Sequence, residues 1–222
     1  MIKILCIADH KDPLIYSSLI KSRFGDIDLV ISAGDLEMDY YGYIASSLNK
    51  PLLFIFGNHN LKRIGYYRKE YSKMLYDRLN SSYPSFGSTY IGGKVKRIKK
   101  LLIAGLGGSK RYNKGKNQFT EAGMFLYILK LLPGLFINKI LFGRFLDILV
   151  THAPPEGIND KKDPCHSGFK IFLWFMRVFK PKYLVHGHVH LYDINKKRRE
   201  KYYETTIVNA YNHTIINEDF KK

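Results

Sequence analysis

The chain has 222 residues, 45 % of them apolar, and a formal net charge of +17. Such a length and apolar content suit one α/β unit with a sizeable core, and no low-complexity stretch, internal repeat or Ser/Gly-rich linker divides it, so a single domain over 1–222 is expected. The two cysteines exclude a disulfide framework, and the positive charge favours phosphate-rich partners such as nucleic acids and anionic lipid surfaces.

Met1-Ile2-Lys3-Ile4-Leu5 enters a strand at once, which leaves no room for a cleavable signal peptide and makes a reducing, cytoplasmic location the expectation. Apolar strand runs follow at Ile4 to Ala8, Leu29 to Ala33, Leu52 to Phe56 and Ile148 to Thr151, with helical patterns at Pro13 to Phe24, Asp39 to Leu48, Tyr67 to Leu79 and Phe169 to Phe179. The middle of the chain predicts a hairpin, Thr89-Tyr90-Ile91 turning at Gly92-Gly93 into Lys94 to Ile98, and then a core strand from Leu101 to Gly105. Residues Phe119 to Leu132 and Leu135 to Phe142 predict two amphipathic helices separated at Pro133-Gly134. Lys201 to Asn217 predicts further strands with a turn near Ala210 to His213. Strands that alternate with helices and then cluster without them indicate a layered α/β sandwich.

Each principal apolar run stops at a carboxylate, an amide or an imidazole. The first ends at Asp9, the second at Gly34-Asp35, the third at Gly57-Asn58-His59, the fourth at His152, and the last, Val185-His186, at Gly187-His188-Val189-His190. Side chains at the carboxyl ends of neighbouring strands converge on one crevice, and neutral imidazoles with carboxylates there can surround cations.

In order and spacing these blocks resemble those of the calcineurin-like metallophosphoesterases: D-x-H, G-D, G-N-H, a lone His after a strand, and G-H-x-H, matched here from Asp9 to His190. The resemblance implies a four-layer α/β/β/α sandwich of two mixed sheets, with residues 118–145 as a helical, cap-like insertion. It implies two divalent metal ions, drawn from manganese, iron, zinc or cobalt, and hydrolysis of P–O bonds by a hydroxide activated between them. Carried over position by position, Asp35 is the carboxylate that bridges the metals, Asp9 and His190 join it on one ion, and Asn58, His152 and His188 hold the other. His59 is the imidazole that faces the substrate phosphate.

Two positions depart from the pattern. The third residue of the first block is Lys11 in place of histidine. An ammonium beside a cation is repelled, so Lys11 is expected to point away, and the first metal lacks a ligand, takes water or recruits His10. Asn60 stands where the family commonly has an acid, which changes the support of that loop but not the ligand set.

Phosphodiesters, including cyclic nucleotides and nucleic-acid ends, head the expected substrates, with phosphomonoesters and a lipid-linked pyrophosphate open. A non-catalytic scaffold on the same fold and a nucleic-acid-binding module that uses the clusters Lys94 to Lys100, Lys110 to Lys116 and Asn195 to Lys201 are the rival readings. Tyr40-Tyr41 and Tyr66-Tyr67 are candidates to stack on a base or to pack in the core. His166 is read either as reaching the site or as an ordinary loop histidine, Ser167 as a candidate helix cap, and His186 as support for the ligands. Two readings are open for residues 119–144: a cap or self-association surface, or an apolar lip that lies on a membrane or holds a lipid tail.

Overall fold

A computed structural model describes residues 1–72, 85–192 and 197–220. Alternation along the first strand, β1 (Ile2–Ala8), sets the layering. Ile4, Cys6 and Ala8 face the space between two sheets, while Leu5 and Ile7 face helices on the outer side. β2 (Leu29–Ser32), β3 (Leu52–Phe54) and β4 (Ser88–Tyr90) follow in parallel, and β13 (Asn212–Glu218) pairs antiparallel on the other flank of β1. The first sheet therefore runs β13-β1-β2-β3-β4.

The second sheet contains β5 (Lys94–Ile98), β6 (Leu101–Leu106), β9 (Ile148–Thr151), β10 (Tyr183–His186), β11 (Arg199–Tyr202) and β12 (Thr205–Asn209), in the order β11-β12-β10-β9-β6-β5. Its interior strands are parallel and its two edge pairs antiparallel. A short parallel pair, β7 (Ser109–Lys110) with β8 (Gln118–Phe119), lies between β6 and the following helix.

Helices α1 (Ile20–Phe24), α2 (Met38–Leu48) and α3 (Ile64–Tyr67) cover the first sheet. Tyr40, Tyr41, Ile44 and Leu48 of α2, at helical spacing, point into that outer core. Helices α4 (Glu121–Leu129), α5 (Leu132–Phe142) and α6 (Lys170–Phe179) cover the second sheet, with Met124, Tyr127, Ile128, Leu131 and Leu135 meeting Phe172, Phe175, Met176 and Phe179. Four layers result, helix on sheet on sheet on helix, as the resemblance implied. Residues 119–144 belong to the outer helical layer of the second sheet.

Several local expectations are corrected. The strands β4 and β5 do not form a hairpin: β4 ends in the first sheet, and the chain crosses at Gly92-Gly93, where Gly93 has φ +68°, to start β5 in the second. The hairpin is β5–β6, closed by Lys99-Lys100. The helix expected from Pro13 begins only at Ile20, because the Asp12 carboxylate accepts the Leu14 N–H and the Asp12 carbonyl those of Ile15 and Tyr16, which winds residues 12–16 into turns. The helix expected from Tyr67 is absent over Arg68, whose extended backbone interrupts it, and the part from residue 73 lies outside the described residues. Part of the basic cluster at 195–201 also lies outside them. Pro133 opens α5 instead of breaking it, since a first-turn proline forfeits no helical hydrogen bond. Tyr40 and Tyr41 are core residues and are not available to a base. The first N–H groups of α6 are capped by the Glu121 carboxylate and not by Ser167, whose hydroxyl donates to the Pro164 carbonyl.

Phe172 is fully buried against Phe169 beneath the second sheet. Phe172→Ala is expected to lower unfolding free energy by about 3–5 kcal/mol, read as a reduced midpoint in chemical denaturation.

Candidate metal centre

The carboxyl ends of β1, β2, β3, β9 and β10 meet at one end of the sandwich. Asp9, Asp35 and His188 each follow a strand or its adjoining loop with φ of +66°, +59° and +67°, and Gly34 has φ +103°. Left-handed backbone at three non-glycine positions is strained, and strain of this kind persists only where the surroundings fix it. Here the fixing contacts are visible: the His188 N–H donates to both Asp9 carboxylate oxygens at 2.9 and 3.0 Å, and the His59 N–H donates to Asp35 Oδ1 at 2.8 Å.

His152, fully buried, comes from the second sheet and reaches across to the first. Its Nδ1 lies 2.8 Å from the Ala33 carbonyl oxygen, which assigns that nitrogen as the donor and leaves Nε2 facing inward. Nε2 stands 3.1 Å from Asp35 Oδ2 and 3.1 Å from Asn58 Oδ1. A ring nitrogen opposed by two oxygens needs a positive centre among them, either a proton or a cation. Donor atoms of Asp9, Asp35 and His152 all fall within 4.8 Å of one another, a spacing a metal ion can span. The residues present thus fit a divalent cation.

Electrostatics agree with that geometry. Burial pushes the Asp9 carboxyl up to about 7, with Asp35 adding to the rise against His152 and the His188 N–H. Asp35 is held below the usual carboxylate range in spite of burial, because His152 and the His59 N–H favour its anion. His152 itself is raised to about 9, burial opposing the rise and the Asp35 and Asp9 carboxylates outweighing it. Burial lowers His188 to about 3, so it is neutral and able to ligate.

The remaining expected residues are placed as follows. His188 packs its ring 4.9 Å from that of His152 and its Nε2 donates to the Cys165 carbonyl at 2.6 Å, leaving Nδ1 available. His190 stacks on Tyr211 at 4.8 Å, with Nδ1 at 2.7 Å from the Tyr192 hydroxyl, and stands outside the tight Asp9–Asp35–His152 group. His59 is exposed at the rim. His10 is exposed too, and Lys11 turns to Glu37 with a 2.6 Å ion pair. The Asn60 amide donates to the Asp35 carbonyl at 2.8 Å and so supports the loop. His166 is brought beside the site, its ring 5.4 Å from that of His188 and its Nδ1 2.8 Å from Asp163. His186 is buried with Nδ1 2.9 Å from the Gly187 carbonyl oxygen, while His213 pairs with Asp12 away from the centre.

Three contributors carried no local signal. Tyr112 places its hydroxyl 3.1 Å from Asn58 Nδ2 and so turns the Asn58 oxygen towards His152. Asn117, buried, donates to the carbonyls of Phe56 and Gly57 and accepts from Arg68, whose guanidinium lies over the Tyr71 and Tyr127 rings. Tyr112 lies within the basic run Lys110 to Lys116, whose pattern is one of charge and does not mark the tyrosine.

The family model for calcineurin-like phosphoesterase matches residues 2–192, and the chain belongs to that family. Among solved structures it is similar to one crystal structure at 14 % identity, covering 96 % of this chain and 94 % of the other with a TM-score of 0.65. It is also similar to the crystal structure of TT1561 of Thermus thermophilus at 12 % identity, covering 95 % and 89 % with a TM-score of 0.61. These likenesses show the fold. No curated protein sequence matches. The family establishes a metal-dependent phosphoesterase class acting on phosphate esters, with divalent metal binding typical of it.

Gly57 has no space for a side chain, because a Cβ there would overlap Asp35 Oδ1 and the His152 ring. Gly57→Ala is expected to weaken cation binding by roughly tenfold or more with the fold retained, measured by titration calorimetry and circular dichroism. A cation must displace the protons that Asp9 and His152 hold up to about 7 and about 9, so affinity rises with pH across that interval. Calorimetry in buffers of different ionisation enthalpy is expected to show proton release on binding.

Proposed function

We propose that the chain is a phosphodiesterase that works with two divalent cations, drawn from manganese, iron, zinc and cobalt. The observation that carries this is the convergence of Asp9, Asp35 and Asn58 oxygens on His152 Nε2, an arrangement that calls for positive charge. Asp35 would lie between the cations, with Asp9 and His190 serving one and Asn58, His152 and His188 the other. Cations bound there supply charge that acidifies water and neutralises phosphoryl oxygens.

The protein's own groups do the remaining work. His59, exposed and anchored through its N–H to Asp35, faces the substrate phosphate to stabilise the transition state or to assist departure of the ester oxygen. Tyr112 joins the Lys110 to Lys116 loop to the crevice, and exposed Arg111, Lys114 and Lys116 suit an anionic substrate that extends beyond one phosphate, a nucleotide or nucleic-acid end included. Lys11, committed to Glu37, leaves the first cation one imidazole short, which favours a water ligand and easier exchange. The unpaired Cys6 and Cys165 suit a cytoplasmic setting.

Metal-stripped protein is expected to hydrolyse a chromogenic phosphodiester only after a transition metal is restored. Asp35→Asn should lose cation binding and turnover together, whereas His59→Ala should keep the cation and lose about 10²–10⁴ in kcat. Folded protein that stays inactive with manganese, iron, zinc and cobalt would overturn the reading in favour of a scaffold.

A further inference from the structure

Helices α4 and α5 are apolar on both sides. Their inward residues, Met124, Tyr127, Ile128 and Leu135, with Leu131 at the junction, join the core beneath the second sheet. Their outward face should then be polar, as on an ordinary surface helix. It instead presents Phe125, Leu126, Phe136, Ile137, Ile140 and Leu141, of which Ile140 is 81 % exposed. Scattered exposed apolar residues need no explanation, but exposed apolar residues at helical spacing on two consecutive helices mark a surface that something covers.

The occupant is identified by charge. From Ala122 to Leu146 the sequence has no Asp or Glu, while Lys130, Lys139 and Arg144 lie within it. The edge strand β5, which carries exposed Lys94, Lys96 and Arg97, borders the face, with the Arg97 guanidinium 4.5 Å from the Phe142 ring centroid. On the other side Phe125 meets Trp174 of α6 at 6.0 Å, and exposed Arg177 and Val178 follow on that helix. An apolar centre with aromatic residues and a cationic margin matches a bilayer with acidic headgroups. A second copy of this chain, also at +17, would be repelled.

We infer that the α4–α5 face lies on the surface of an anionic phospholipid bilayer. The pair rests in the interface and does not cross it: the two helices bend by 47° at their junction, no single described helix is long and apolar enough to span, and their inner faces are taken up by the core. This inference is independent of the chemistry proposed above, since the outward residues of the two helices are not among those that form the metal centre.

The test is co-sedimentation of the full chain with vesicles of phosphatidylglycerol and phosphatidylcholine, or of phosphatidylcholine alone, at low and high salt. Binding is expected to the anionic vesicles, to weaken in salt, and to fall by about tenfold or more in I140E/L141E, whose thermal midpoint should stay near that of the wild type. Both positions are exposed, and K130Q/K139Q gives a second variant, expected to lose the preference for phosphatidylglycerol without altering the apolar face. Absence of binding to anionic vesicles, or binding untouched by both variants, would overturn the inference. A wild-type dimer in sedimentation velocity that I140E/L141E dissociates, without vesicle binding, would also overturn it and assign the face to a second copy.

Discussion

The molecule depends on a tie between its two sheets made by His152. The residue belongs to the second sheet, yet its ring is occupied on both nitrogens by groups of the first: the Ala33 carbonyl on one side, Asp35 and Asn58 on the other. A reciprocal tie runs from the Asp9 carboxylate on the first sheet to the His188 N–H on the second. Buried carboxylates cost free energy unless paired, and the opposite layer supplies His152 to Asp35 and the His188 N–H to Asp9, with the His59 N–H adding to Asp35 from the first sheet. The sandwich closes around negative charge that groups of both sheets hold.

The backbone shows the same constraint. Asp9, Asp35 and His188 are in the left-handed region, and Gly57 is pressed between Asp35 and His152 with no room for a methyl group. Each sits beyond a strand paired on both sides, so the ladders hold what the local torsions oppose. Asn117 and Arg68 play the corresponding part from outside, fixing the carbonyls of Phe56 and Gly57 just before the Asn58-His59 pair. Segments distant in sequence share the site.

How much of this was legible in the sequence follows from how local each determinant is. The convergence of Asp9, Asp35, Asn58, His152 and His188 could be read because each of these residues ends an apolar strand run, directly or one glycine beyond it, whereas the four-layer order came with the family resemblance. The switch between β4 and β5 could not, since two short runs separated by Gly92-Gly93 look the same whether they pair with each other or with strands far away. The shortened α1 was hidden by an apolar pattern that the Asp12 turns override. Tyr112, Asn117 and Arg68 act across tens of residues through side-chain hydrogen bonds, for which no spacing rule exists. Lys11 was legible by chemistry, its partner Glu37 only by geometry.

The layer of Ile4, Cys6, Ile31, Ile103, Val150 and Val185 between the sheets sets how far apart they stand. Since the donor atoms of the crevice come from both sheets, that spacing is transmitted directly to the distances among Asp35, Asn58 and His152. The crevice therefore acts as a gauge of the packing behind it. Removing a methyl group from the inter-sheet layer, too small a change to unfold the chain, would register first as an altered preference among cations of different radius.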